Sequence, residues 1–175
     1  MTTDRLTNNT RNDLLKICDV DWSTWTPEQT ATLMFVIDDN RVLLIRKKRG
    51  LGAGKINGPG GRLESGETPQ ECAVRETQEE LCITPLSVEA HGELRFHAED
   101  MPTIHVYVFV AHGFEGAPAE TDEAIPVWFE FDQIPYDEMW DDDRLWLPAV
   151  LAGQAVQGWF TFHEETLLDH RLELT

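Results

Sequence analysis

Glu76, Glu79 and Glu80 stand at i, i+3 and i+4 within GGRLESGETPQECAVRETQEELCI. On a helix that spacing puts them on one face, where three like charges repel and where surface helices ordinarily interleave lysine. Two readings follow: a solvated acidic face, or a seat for a hard, oxygen-seeking cation such as Mg²⁺ or Mn²⁺. The segment upstream bears on the choice. Six glycines fall between Gly50 and Gly61, too many for a regular element but suited to close approach of backbone to a ligand. Arg75 is adjacent to Glu76, and an ion pair from Arg75 to Glu67 is expected to tie the loop to the helix.

The element carrying these carboxylates is punctuated explicitly. Thr68 as N-cap, Pro69 at the first helical position and Glu71 three residues after the cap make a capping box, and the helix is predicted over about 68–81. ATLMFVI (31–37) and RVLLIR (41–46) read as strands joined into a hairpin through Asp38-Asp39-Asn40. Further strands are expected at 87–97, 104–111 and 126–131, a second helix at 145–156, and a closing hairpin from 159–163 and 167–174. Residues 1–29 are polar, contain Trp22 and Trp25, and show a short helical pattern from Asp13 to Cys18. They read as an N-terminal arm, leaving 30–175 as one domain. The order of elements is α+β, one sheet system with two helices and no regular βαβ alternation.

Composition narrows the partners. The chain has 175 residues, 41% apolar and 26% charged, which suits a single folded core. No apolar run approaches the roughly 20 residues that span a bilayer, and the polar N-terminus lacks the apolar centre of a signal peptide, so a cytoplasmic location is expected. Cys18, Cys72 and Cys82 form no C-x-x-C pair, which argues against a disulfide framework or a zinc site. A net charge of -18 repels nucleic acid polymers and anionic membranes. The charge is segregated: 41–62 holds seven of the 14 cations and no acid, while 120–143 holds ten carboxylates and no Lys or Arg. Two solvated faces would account for that pattern.

Gly61, five residues, Glu67, seven residues, Arg75-Glu76, two residues, Glu79-Glu80: this spacing resembles the box of the Nudix hydrolases at every charged position. Thr77 stands where an aliphatic residue is usual, and Cys82 where the family has a glycine near the helix end. The resemblance implies a Nudix αβα sandwich with a mixed sheet. It also implies hydrolysis of a nucleoside diphosphate linked to another moiety, by attack of water on phosphorus. Glu76, Glu79 and Glu80 would then hold a divalent metal, Mg²⁺ with Mn²⁺ as an alternative, with the Gly60 carbonyl contributing. Glu80 is the candidate base or principal metal ligand, and Glu67 and Arg75 are scaffold.

The similarity extends past the box. KKRGLGAGKINGPGGR, TDEAIPVWFEFDQIPYDEMWDDDRLWLP, GWFTF and LLDHRLEL are similar to the animal branch of the family that acts on oxidised purine nucleoside triphosphates of the 8-oxo-dGTP and 2-hydroxy-dATP type. That likeness places Asn57, Trp140, Asp142 and Asp143 on base-reading positions, Thr32, Lys47 and Phe96 on pocket-lining ones, and Glu123 on a loop acid near the metal. Trp140 offers a flat face for a purine, or packs in the core. Asn57 carries both a donor and an acceptor, or caps its own loop. If Asp142 and Asp143 share a closed pocket, one of them keeps a proton and donates while the other accepts; otherwise they form a solvated turn. Leu51, Ile56 and Pro59 replace aromatic residues of that branch, which bears on base preference more than on reaction type. Lys47, Lys48 and Arg49 form a cationic rim able to draw in a triphosphate. The expected activity is release of the monophosphate and pyrophosphate by a monomer acting on free nucleotides. Ordinary or methylated dNTPs, or another nucleoside diphosphate derivative, are the alternative substrates, and a non-catalytic Nudix-fold module is the third reading.

Overall fold

The computed structural model describes residues 15–175. Its framework is a mixed eight-stranded sheet. β1 (Gln29–Asp38) and β2 (Arg41–Lys47) form the expected hairpin, antiparallel, with Asp38 opposite Arg41 and Asp39 left-handed at φ 55° in the two-residue turn. β3 (Ile56–Asn57) and β8 (Ala124–Glu130) both pair antiparallel with β2. On the other side β1 runs parallel to β6 (Ile104–His112), which pairs antiparallel with β5 (Val88–Ala98). β5 in turn lies parallel to β9 (Val156–His163), which closes antiparallel on β10 (Thr166–Leu174). β4 (Ile83–Pro85) and β7 (Phe114–Gly116) make a separate two-stranded ribbon.

Alternation along the central strands sends side chains into two cores. Phe35, Val42, Leu44, Leu94, Val108 and Phe160 pack against helix α2 (Asp143–Leu151) through Trp146, Leu147 and Val150. Met34, Val36, Leu43, Ile45 and Phe109 pack against helix α1 (Pro69–Leu81) through Ala73 and Leu81. A sheet with one helix on each face is the αβα sandwich.

α1 begins as the sequence predicts. Thr68 Oγ1 accepts from Glu71 N–H, and Glu71 Oε2 accepts from Thr68 N–H. α2 starts two residues earlier than expected and stops at Leu151, because Val156 belongs to β9. The helical pattern at Asp13–Cys18 lies partly outside the described residues; its described part is a single 3-10 turn at Ile17–Asp19. Among the described residues no helix is long and apolar enough to cross a membrane.

Candidate active site

Glu80 lies on the buried face of α1, at 2% exposure. Its Oε2 accepts the Gly60 N–H at 2.9 Å, which joins the helix to the glycine loop. Only glycine fits there: a Cβ on Gly60 would stand 1.9 Å from the Thr32 carbonyl oxygen of β1. Burial pushes the Glu80 carboxyl up to about 7, against the Gly60 N–H and Lys47, which pull it down, while Glu76 and Glu123 push it further up. Glu76 is raised as well, mainly by burial, and a Cβ on Gly61 would come within 2.4 Å of its carboxyl carbon. The glycine backbone thus packs closely over two desolvated carboxylates that repel each other.

Arg75 is the scaffold cation. It grips Glu67 bidentately, Nε to Oε1 at 2.7 Å and Nη2 to Oε2 at 3.0 Å, and holds the Glu67 carboxyl down to about 2. Its Nη1 also reaches Glu76 at 2.8 Å and Glu79 at 3.2 Å. Glu79 is more than half exposed. Glu76, Glu79 and Glu80 therefore share the α1 surface without closing into one knot. Among the described residues the set of three His, Cys, Asp or Glu ligand atoms within 4.8 Å of one another is the exposed Asp100, His163 and Glu164. Glu123 faces the same loop from the β7–β8 connection, paired with Arg49. The donor set of Glu76, Glu79, Glu80, Glu123 and the Gly60 carbonyl is all oxygen, which fits a hard divalent cation.

Thr77, unusual in the box, is fully buried and satisfies its hydroxyl on the Ala73 carbonyl four residues back at 2.7 Å. Cys82 takes the left-handed terminal position at φ 60° that glycine ordinarily fills. Cys72, under the loop, has its thiol pushed up to about 11 by burial.

The seven residues expected to contact substrate all border one cavity of about 470 Å³ on the α2 face: Thr32, Lys47, Asn57, Phe96, Trp140, Asp142 and Asp143, with Gly60 at its margin. The Thr32 hydroxyl, however, turns to the other face of β1 and pairs with Cys72 Sγ at 3.5 Å, so Thr32 serves the loop junction more than the cavity. Asn57 Oδ1 accepts the Gly58 N–H at 2.8 Å, which leaves its amide N–H₂ as the group able to read a ligand. Phe96 stacks on Phe160, with ring centroids 5.1 Å apart, and Trp140 meets Phe162 edge-on at 6.1 Å. The cavity wall is aromatic.

Asp142 and Asp143 open α2 at 2% and 3% exposure. Asp142 Oδ2 accepts the Trp146 indole N–H at 2.8 Å, and Asp143 Oδ2 accepts the Trp140 backbone N–H at 3.0 Å. Burial raises both carboxyls, Asp142 to about 6 and Asp143 well above its ordinary value, with Asp142 adding to the rise of Asp143. The structure rules out a solvated turn for this pair. Asp141, by contrast, is exposed.

The two segregated charge segments face each other in space because β2 pairs with β8. Lys48 pairs with Glu120 at 2.5 Å, Arg46 with Glu138 at 2.6 Å, and Arg49 with Glu123. Of the expected cationic rim, Lys47 faces Glu80 and the cavity. Of the three departures from the animal branch, Leu51 borders the cavity and is half exposed, whereas Ile56 and Pro59 are buried. Phe162 and Met101 also line the cavity and were not anticipated. Phe162 had one available signal, the alternation of WFTFH.

A family model described as NUDIX domain matches residues 27–150. The oxidized purine nucleoside triphosphate hydrolase of Danio rerio is 41% identical over 144 residues, 81% of this chain and 92% of that protein. Its namesake from Mus musculus is 38% identical over 143 residues, again 81% of this chain and 92% of the relative. Among solved structures, the mutator MutT protein of Bacillus halodurans has a TM-score of 0.75 at 28% identity, covering 83% of this chain and 97% of that one. The match takes in both the carboxylate helix and the buried aspartate pair, and with a relative at this identity over most of its length the chain belongs to the Nudix family, as a Nudix hydrolase.

Proposed function

We propose that the chain hydrolyses oxidised purine nucleoside triphosphates, of the 8-oxo-dGTP and 2-hydroxy-dATP type, to the monophosphate and pyrophosphate. It would do so as a monomer on free nucleotides of the cytoplasmic pool. The observation that carries this reading is the pair of adjacent buried aspartates in an aromatic cavity whose margin reaches the glycine loop. One protonated and one ionised carboxyl side by side donate to and accept from a purine edge at once, a pattern that oxidised guanine and oxidised adenine can both meet. Trp140, Phe96 and Phe162 supply the stacking and apolar contacts that hold the ring in plane.

Lys47 lies between base site and carboxylates and places positive charge where the phosphates must pass. A divalent cation held by Glu76, Glu79, Glu80, Glu123 and the Gly60 carbonyl would supply the charge that neutralises the triphosphate and makes water acidic. Attack of water forms a new oxygen–phosphorus bond, breaks the anhydride between the α and β phosphorus atoms, and sends pyrophosphate away. Glu80 takes the proton of that water or serves as the principal ligand of the cation. Arg75 keeps Glu76 and Glu67 in place throughout.

A panel with Mg²⁺ tests the reading, comparing kcat/KM for 8-oxo-dGTP, 2-hydroxy-dATP, O6- and N6-methylated purine nucleotides, dGTP, a pyrimidine triphosphate and ADP-ribose. Oxidised purines should lead the panel. Preference for ADP-ribose or for an unmodified dNTP would overturn it. Glu80→Gln should lower kcat by about 100-fold or more with the fold intact by circular dichroism; retention of activity within threefold would remove Glu80 from its role.

A further inference from the structure

The described part of the N-terminal arm, residues 15–28, lies across the sheet on the face opposite the cavity. Alternation fixes that side: Leu94, Phe96 and Ala98 point into the cavity core, so His97 points away from it, and Thr161 does the same between Phe160 and Phe162. The arm touches three neighbouring strands in turn. The Ile17 N–H donates to Asp169 Oδ2 on β10 at 3.0 Å, Thr161 Oγ1 on β9 donates to the Leu15 carbonyl at 2.8 Å, and the Trp25 indole N–H donates to His97 Nδ1 on β5 at 3.1 Å. An indole N–H only donates, so the His97 proton sits on Nε2. Trp22 packs on Trp25 at 5.5 Å and edge-on to His97 at 6.3 Å.

The arm then clamps the β5–β6 loop. Glu28 N–H donates to Thr103 Oγ1 and to the Thr103 carbonyl, each at 3.0 Å, and Glu28 Oε2 accepts the Thr103 N–H at 2.8 Å. Met101 and Pro102, the two residues before Thr103, line the cavity. Trp25 thus backs the residue next to Phe96, and Glu28 anchors the loop that carries Met101. Both contacts reach the cavity wall from behind without entering it. Trp22 and Trp25 also precede the family match, which starts at residue 27.

We propose that this arm is a brace that sets the shape of the base end of the cavity, with Trp25 and Glu28 as positioning residues for the purine. It rests on the proposed substrate class, but its structural part can be read without substrate. The chain has four methionines, so ¹³C-methyl methionine labelling gives separate probes at Met101 in the cavity wall and at the buried Met34 and Met139. In the full chain without nucleotide, Glu28→Ala and Trp25→Phe should shift Met101 and leave Met34 and Met139 in place. Glu28→Gln keeps an oxygen for the Thr103 N–H and should restore the Met101 signal.

In turnover, Glu28→Ala and Trp25→Phe should raise KM for 8-oxo-dGTP by about 3- to 10-fold with kcat within about twofold, and Glu28→Gln should return KM to the parent value. KM for a pyrimidine triphosphate, which leaves the base end partly empty, should stay put. An unmoved Met101 overturns the brace. So do equal losses on both nucleotides accompanied by shifts at all three methionines, which would mark general destabilisation. If the parent shows no preference for oxidised purines, the substrate assignment falls, and the Met101 response still judges the brace.

Discussion

Burial raises both carboxyls of Asp142 and Asp143, yet their remaining contacts differ. The Trp146 indole N–H at 2.8 Å stabilises charge on Asp142, while Asp143 has a backbone N–H at 3.0 Å and an adjacent negative charge. Asp143 is therefore the position expected to keep the proton and donate, with Asp142 the ionised acceptor. An asparagine at either position keeps its internal hydrogen bond by turning Oδ1 inward, so its N–H₂ faces the cavity. Asp143→Asn should be tolerated, because a donor replaces a donor. Asp142→Asn should lower kcat/KM for 8-oxo-dGTP and 2-hydroxy-dATP by about 5- to 150-fold, because a donor now meets a donor. A pyrimidine triphosphate should respond little to either change; equal effects on all three nucleotides would remove the pair from base reading. Those aspartates, the carboxylates and Trp140 were legible because each lies in a contiguous motif. Met101 was not, since it stands in the β5–β6 loop outside any motif, and the alternation of WFTFH marks Phe162 as inward-facing without showing that the parallel pairing of β5 with β9 brings it to the cavity.

On the scale of elements, α1 was readable almost to the residue because a capping box and Pro69 state its start in chemistry local to the chain. Its end shows how context overrides preference. Cys82 holds φ 60°, a conformation costly for a side chain with a Cβ, and its N–H still closes on the Gln78 carbonyl at 2.9 Å. Cys82→Gly removes that strain in an exposed residue, and should raise unfolding free energy by about 0.5–1 kcal/mol in urea titration, with activity unchanged. No gain, or a loss, would show that the β4–β7 ribbon following the cap sets this geometry at no cost. β3, β4 and β7 escaped the sequence reading because two or three residues carry no periodicity. The sheet order escaped it as well, since β1 against β6 and β5 against β9 are contacts between distant segments. The charge segregation was visible in the sequence, but only the pairing of β2 with β8 shows that the two blocks neutralise each other.

For the molecule as a whole, a site built from desolvated carboxylates makes stability depend on pH in an unusual direction. Glu80 moves from an ordinary 4.5 to about 7, and Asp142 from 3.8 to about 6, both chiefly through burial. A carboxyl whose folded pKa is raised is fully accommodated below its unfolded value, where both states are protonated. As pH climbs through the folded value the unfolded chain ionises freely, the folded one is forced to, and stability is lost. Glu80 alone corresponds to about 3 kcal/mol between roughly pH 4.5 and 7. Glu67 works oppositely, held down to about 2 by Arg75, and protects the fold on the acid side. The metal-free protein should thus be most stable in mildly acidic solution and lose about 5–10 °C in Tm between pH 5 and 7.5 when melted in EDTA. Excess Mg²⁺ should raise Tm more at pH 7.5 than at pH 5, because the ionised carboxylates that weaken the free protein are the ones a cation stabilises. The net charge of -18 also favours unfolding as pH rises, and Glu80→Gln separates the two causes. If the carboxylate site is responsible, the variant in EDTA should lose much of the pH slope; if general repulsion is responsible, the slope should survive the substitution.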